Sequence, residues 1–303
     1  MLILHHYPMS PFSEKLRLML GYANVPWRSL LTTESPPRPD LQPLVGGYRR
    51  IPVAQDGADL FCDSRLIAAE IATGAKLPAL NPFLADPDAQ AISNRYEGEI
   101  FMAAITSIPP SRILRKLFKE LSFSHALRFL KDRASMAGSA KTPPLKHAKA
   151  LPLFMDHLAM LDELLVSGDA FLTGDEASHL DFAAYHTLWF RTVVGGQDMP
   201  TTMPALLQWY QRMTAFGHGD TSPTTTTHSF AAASEHQPRE IPAAMTQDSR
   251  IGTNVSVAPD DYGLDETTGI LVGIDEQRCI VARETTDFGT LHVHLPRMGF
   301  TID

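Results

Sequence analysis

Several short stretches of this chain carry side chains that can do chemistry. Ser10 stands between an apolar run, Leu2–Leu4 with His5-His6-Tyr7 after it, and a helical stretch over Ser13–Tyr22. Backbone N–H groups and the positive end of a helix dipole converge at such a junction, which favours an anion and lowers a thiol's pKa. A serine there either caps the helix or donates a hydrogen bond to a bound anion, and the local sequence leaves both open. Asp63-Ser64 repeats the arrangement before a second helical stretch. Both residues suit an N-cap, a role compatible with binding: a carboxylate can meet an ammonium, and a hydroxyl at a helix start can meet a carboxylate. Arg50-Ile51-Pro52-Val53 puts a guanidinium beside a proline at the edge of a strand. Read alone, Arg50 is a solvated arginine and Pro52 an ordinary trans-proline. Cys62 lies on an apolar strand and reads as a packed thiol. His292 and His294 alternate on one strand and share a face, but no third ligand accompanies them, so no metal site is expected.

The elements that must position these residues follow from periodicity. Leu2–Leu4 and Trp27–Leu31 read as buried strands, with Leu16, Met19 and Leu20 spaced as a helix face between them and Glu14 suited to that helix's first turn. Thr32–Gly47 is Pro-rich with room for one short helix. Ile51–Gln55 and Leu60–Cys62 are strands joined through Asp56-Gly57, a hairpin signal. Leu66–Ile71 continues as a helix ending near Gly74. Residues 1–78 therefore read β-α-β-(α)-β-β-α, an order that suits a small mixed sheet with helices on its faces.

Residues 86–216 turn helical. Helices are expected over Ala89–Ile108, Ser111–Phe129, Lys146–Val166, Leu180–Phe190 and Met203–Phe216, the fourth apolar enough to be largely buried. Ser178 and Asp181 form an S-x-x-D capping box at its start, a folding role. Residues 217–249 are rich in Thr, Ser, Ala and Pro and read as a linker, with a short helix fitting around Ser229–His236. Residues 250–303 change character again. Val255–Ala258, Ile270–Ile274, Cys279–Glu284 and Leu291–Leu295 are β-prone runs separated by turns, as in a small antiparallel barrel or sandwich.

The bulk numbers agree with a globular chain of two or three domains: 303 residues, 44% hydrophobic and 20% charged. The net charge of -8 argues against a nucleic-acid partner. The densest basic stretch, Arg112 to Lys119, reads as the solvated face of a helix. Two cysteines exclude a disulfide framework, leave a single bridge open and fit a reducing compartment. The N-terminal MLILHHYPMSPF lacks a basic start and its apolar run breaks at His5, so it does not read as a signal peptide. No apolar run reaches the roughly 18–20 residues of a membrane span.

In this order four motifs resemble those of the glutathione-transferase superfamily. Ser10-Pro11-Phe12-Ser13-Glu14-Lys15-Leu16-Arg17 is similar to the S/C-P-[FY]-x-x-[KR]-[VL]-R signature of its serine- and cysteine-type classes. Arg50-Ile51-Pro52-Val53 resembles K-[VI]-P-V, and Asp63-Ser64-Arg65-Leu66-Ile67 resembles [ED]-S-x-x-I. Gly174–Asp181 is similar to G-D-x-x-S-x-A-D, with Leu180 in place of a small residue. Each motif alone is weak; the four in order cover residues 1 to about 217.

The resemblance implies a thioredoxin-like glutathione-binding domain over 1–78 and an all-helical domain over 86–216, followed by an added β domain. It implies that Ser10 holds a glutathione thiolate by donating a hydrogen bond. Pro52 would be cis and turn the backbone of Val53 toward the cysteinyl backbone of glutathione, while Asp63 and Ser64 would hold the γ-glutamyl group. Arg50 would meet the glycyl carboxylate, and Asp63 is shorter than the family's usual Glu or Gln. His6, not Tyr7, aligns with the catalytic residue of the tyrosine-type classes, so that mechanism does not transfer; Tyr7 reads as packing and Ser13 as structural. The implied protein is a cytoplasmic, homodimeric detoxification enzyme conjugating glutathione to a small hydrophobic electrophile or reducing a peroxide, without membrane or nucleic-acid partners. The electrophile would lie between Met9 and the helix carrying Phe101, Met102 and Ile105. Competing readings are a glutathione-dependent dehalogenase or isomerase, and a non-catalytic binding or regulatory protein on the same scaffold. Two features depart from the family: the glycine-rich Gly46-Gly47-Tyr48-Arg49-Arg50, expected to reshape the mouth of the site, and the β domain from Ile251, which could cover the second-substrate site, extend a dimer interface or bind a partner.

Overall fold

A computed structural model describes residues 1–139, 145–166 and 168–303. The first domain runs β1 (Leu2–His6), α1 (Pro11–Tyr22), β2 (Trp27–Leu31), α2 (Gln42–Val45), β3 (Val53–Asp56), β4 (Asp59–Cys62) and α3 (Ser64–Ala75). β1 lies parallel to β2 and antiparallel to β3, and β3 is antiparallel to β4. This is the thioredoxin-like order expected. Alternation along β3 and β4 sends Ala54 and Phe61 to one core and Val53, Leu60 and Cys62 to another.

The helical region contains α4 (Pro87–Glu97), α5 (Glu99–Thr106), α6 (Pro110–Glu120), α7 (Phe123–Ser139), α8 (His147–Val166), α9 (His179–Trp189) and α10 (Pro204–Ala215), with π-helical residues Phe190–Val194 extending α9. Two expected helices are broken. The apolar period runs through Gly98, but Gly98 leaves the helical range at φ -118°, ψ -94° and separates α4 from α5. Leu121 turns extended at φ -112°, ψ 151° and ends α6 before α7 begins. Residues 140–144 and 167, inside the expected helical span, lie outside the described residues. Among the described residues no helix is long and apolar enough to cross a membrane.

α9 is buried on every face, in keeping with its mostly apolar sequence. Its start is fixed by Asp181, which accepts bonds from the N–H groups of Ser178 (2.9 Å) and Leu172 (2.8 Å) and from the indole of Trp209 (2.9 Å). Asp181→Ala leaves these buried donors without an acceptor, and a loss of about 3 kcal/mol is expected in a denaturant titration. Asp181→Asn retains part of that stability, because its amide oxygen still accepts.

Residues 217–249, composed like a linker, run along the first domain. Thr221–Pro223 (β5) adds parallel to β2. Thr226–Glu235 (α11) brings Ser229, whose hydroxyl donates to Gln55 at 2.6 Å while Gln55 returns a bond to its carbonyl at 2.9 Å. Arg239 pairs with Asp56 and Glu70 at 2.7 and 2.8 Å.

The remaining strands are β6 (Asn254–Pro259), β7 (Thr267–Ile274), β8 (Arg278–Thr285), β9 (Gly289–Pro296) and β10 (Phe300–Ile302). The first four match the β-prone runs; β10, only three residues long, gave no sequence signal. They form an antiparallel β region whose β9 pairs parallel with β4, giving one sheet in the order β10-β6-β7-β8-β9-β4-β3-β1-β2-β5. Val255, Val257, Leu271, Val281, Leu291, Val293 and Leu295 share a core with Leu44, Val45, Val53, Leu60 and Cys62 of the first domain. The β region is therefore fused to the first domain through both hydrogen bonding and apolar packing.

Candidate functional site

Strand direction brings the candidate residues to one end of the first domain. β1 runs toward Ser10, β3 starts just after Pro52, and β4 ends just before Asp63. The registers His5↔Val53 and Val53↔Cys62 fix these three ends side by side. The amino ends of α1 and α3 lie at that same end of the sheet, where the positive ends of two helix dipoles favour an anion.

Ser10 is the N-cap of α1 and is 1% exposed. Its oxygen accepts from the Ser13 N–H at 3.2 Å and from the Ser13 hydroxyl at 2.8 Å. With its acceptor capacity engaged, the Ser10 hydroxyl proton is directed away from the helix. Cap and donor are thus compatible roles in one side chain. Ser13 is the supporting hydroxyl.

The turn that delivers Ser10 is held by Arg17. Its guanidinium donates to the carbonyls of Tyr7 (3.3 Å) and Pro8 (3.0 Å), to Nδ1 of His6 (2.9 Å) and to the Glu14 carboxylate (2.6 Å). Since arginine only donates, His6 accepts at Nδ1 and gives its Nε2 proton to Ser29 at 2.8 Å. Burial, reinforced by the Arg17 charge, pushes the His6 pKa down to about 3, so His6 is neutral. Tyr7 is buried and packs. Arg17 belongs to the motif that begins at Ser10, which was the available signal for its role.

The Ile51–Pro52 bond is cis, as the motif led one to expect. Pro52 and Val53 are buried, and Val53 lies between β1 and β4. Ile51 is half-buried and precedes β3. Asp63 has φ 78° and caps α3 through the Arg65 N–H at 2.9 Å, with the Arg65 guanidinium 3.6 Å away. Ser64 is 6% exposed and accepts from Lys15 Nζ at 2.9 Å.

Lys15 links the two halves of the chain. It is fully buried, reaches across from α1 to Ser64, and also pairs with Glu97 at the end of α4. His179 and Arg65 approach the same carboxylate at 3.3 and 3.8 Å. Burial pushes Glu97 upward, but Lys15, His179 and Arg65 outweigh it and hold the carboxyl well below its usual range.

Arg50 is turned to the β region. Its guanidinium donates to the Asp261 carboxylate and the Tyr262 carbonyl and sits over the Tyr262 ring, 4.0 Å from its centre. Arg49 pairs with Asp132 of α7 and, at 3.3 Å, with Asp265. The two glycines preceding them have a steric reason. A side chain on Gly47 would lie 1.9 Å from the Glu266 carbonyl oxygen, and one on Gly46 would lie 3.0 Å from the Arg283 guanidinium. They let the β region approach.

The suggested second-substrate residues are divided. Phe101 is packed among the rings of Phe12, His186 and Phe190 at 4.9–5.9 Å. Met102 is 39% exposed, while Met9 and Ile105 are half-buried. Cys62 and Cys279 are buried free thiols, both pushed up in pKa by burial. His292 and His294 do share a face and turn to Asp59, whose carboxylate lies 2.8 Å from His294 and 3.9 Å from His292. Among the described residues no group of three or more His, Cys, Asp or Glu is arranged to hold a metal ion.

Comparison with known proteins is consistent with this layout. Residues 4–79 match the glutathione S-transferase N-terminal domain, and residues 143–212 match the glutathione S-transferase C-terminal domain. A GST-like protein from Pseudomonas syringae is 29% identical, with a TM-score of 0.78 over 100% of this chain and 98% of its own. That likeness includes the β region. More distant are a Bombyx mori glutathione S-transferase, 16% identical over 71% of this chain and 89% of its own with a TM-score of 0.49, and human glutathione-S-transferase T1-1, 20% identical over 78% and 88% with a TM-score of 0.46. No curated protein matches the chain.

Proposed function

This chain belongs to the glutathione S-transferase superfamily, and from that premise we propose that its first domain binds glutathione and that Ser10 holds the bound thiol as a thiolate. The observation that carries the reading is the Ser10 hydroxyl, which accepts two bonds from Ser13 at the end of the sheet where two helices begin. A thiolate beside Ser10 receives the remaining hydroxyl proton as a hydrogen bond and lies in the field of both helix ends. Its own proton leaves to solvent. The sulfur then attacks an electrophilic carbon: the S–C bond forms, and the leaving group departs with its electron pair. A peroxide is the alternative target: the sulfur takes one oxygen as the O–O bond breaks, the alkoxide leaves and takes a proton from solvent, and the thiol of a second glutathione displaces water from the sulfenic acid to give the disulfide.

The donor set fits the rest of the tripeptide. Ser64, at the first turn of α3, suits the γ-glutamyl carboxylate, and Asp63 suits its ammonium. The Ile51–Pro52–Val53 backbone suits the cysteinyl peptide, and Arg50 the glycyl carboxylate. The proposal includes a homodimer, to be read by light scattering as twice the chain mass, and a reducing, cytoplasmic compartment, which suits the free thiols of Cys62 and Cys279.

A second reading, a non-catalytic binding protein, is favoured by a specific observation: Ser10 is nearly inaccessible and Arg50 is already paired within the chain. Calorimetric titration with reduced glutathione, followed by turnover assays against aryl halides and hydroperoxides, separates the two. Binding in the micromolar-to-millimolar range with turnover is the expected result. Binding without turnover on any electrophile favours the second reading, and no binding by the native protein removes the first reading and leaves the second.

A further inference from the structure

Arg50 stands two residues before the cis Pro52 of the candidate site, yet its hydrogen-bond and ring partners come from the β region. Its terminal nitrogen donates to the Asp261 carboxylate and to the Tyr262 carbonyl, and its plane rests on the Tyr262 ring. The Asp261 carboxylate is in turn oriented by the Tyr262 N–H at 2.8 Å. The loop is anchored at both ends: Asp260 N–H bonds to the Gly299 carbonyl at 2.9 Å, and Asp265 pairs with Arg49. Gly263, at φ +60°, packs so closely that an added side chain would lie 3.2 Å from Arg49. The Asp261 side chain is 53% exposed and that of Arg50 14%, so the pair is open to solvent on its acid side.

We propose that the loop 260–264 is a third contributor to the glutathione site, in which Asp261 occupies Arg50 as an internal substitute for the ligand's glycyl carboxylate. The inference rests on the glutathione reading above. A ligand that brings its own carboxylate displaces Asp261 and frees the loop; a ligand without one leaves the loop in place. The β region then acts as a selectivity gate, admitting thiols that carry a carboxylate at the glycyl end. This gives a role to the glycine-rich segment as well, since Gly46 and Gly47 are what allow the β region to stand so close to Arg50.

The test is calorimetric titration of the full chain, native and Asp261→Ala/Tyr262→Ala, with reduced glutathione and with its glycyl ethyl ester. Removing the internal competitor is expected to tighten glutathione binding about fivefold, the factor that corresponds to one exposed ion pair, and to leave ester binding unchanged. Hydrogen exchange of the native protein is expected to show faster exchange over 260–266 when glutathione is added, a readout that does not depend on the variant folding. Equal glutathione affinity in both proteins, or an equal gain for the ester, overturns the gate while leaving the glutathione reading intact. Binding by neither protein removes the glutathione reading and the gate with it.

Discussion

Replacing Ser10 with alanine is expected to lower turnover of bound glutathione by about 10²–10³-fold, the usual effect of removing one donor aimed at a developing or held anion. The same change removes the N-cap of α1, which costs about 1 kcal/mol. That is tolerable in a domain core of this size, so the chain stays folded and the two effects can be measured apart. The expectation follows from geometry. Ser13 supplies both bonds that Ser10 accepts, so the Ser10 proton is the one group left to donate outward. Ser10→Thr keeps the hydroxyl and the cap and should retain most turnover. Ser13→Ala keeps the Ser10 hydroxyl but leaves it less well oriented, and should fall between the two. Equal turnover in native protein and Ser10→Ala would assign Ser10 to capping alone.

Lys15→Met is expected to destabilise the chain by about 3–5 kcal/mol, because it leaves the Glu97 carboxylate buried without its principal partner. Lys15 is fully buried, and its ammonium is held between Ser64 and Glu97, which belong to different domains. His179 and Arg65 remain near Glu97 but at longer range. The double change Lys15→Met/Glu97→Leu should cost less than Lys15→Met, since no charge is then stranded. The pH dependence has a definite sign. The Glu97 carboxyl is depressed in the folded state, so its contribution is complete above the unfolded carboxyl value, about 4.3, and is lost as pH falls through the folded value. Denaturant midpoints below about pH 4.3 should therefore fall more steeply for the native chain than for Lys15→Met. Parallel curves would show that Lys15 does not set the Glu97 titration.

The parts of this molecule that are local in sequence could be read from it. The β-α-β-α-β-β-α order of the first domain is marked by short apolar runs with Pro and Gly between them, and the four later β runs are marked in the same way. The cluster of Ser10, Pro52, Asp63 and Ser64 followed from motifs, because strand direction alone places those positions at one end of the sheet. What could not be read depends on partners far along the chain. Gly46 and Gly47 are explained by Arg283 and by the Glu266 backbone, more than two hundred residues away. Lys15 is one residue of a motif until Glu97 appears beside it. The Thr-rich stretch after Gly217 looks like a linker because nothing local shows that Thr224 N–H bonds to the Ser29 carbonyl or that Ser229 bonds to Gln55. The breaks at Gly98 and Leu121 were hidden because the apolar period continues across them, while backbone conformation does not. The edge-on pairing of β9 with β4 has no composition signature at all.

Glutathione binding and a thiol pKa lowered through Ser10 can be tested together. The most direct measurement is a pH titration of thiolate absorbance for glutathione bound to the native chain and to Ser10→Ala. The native complex is expected to form thiolate at least one unit below the ordinary thiol value of about 8.5, and Ser10→Ala to return the titration toward that value. A bound thiol that titrates at the free value in the native complex would contradict this role of Ser10.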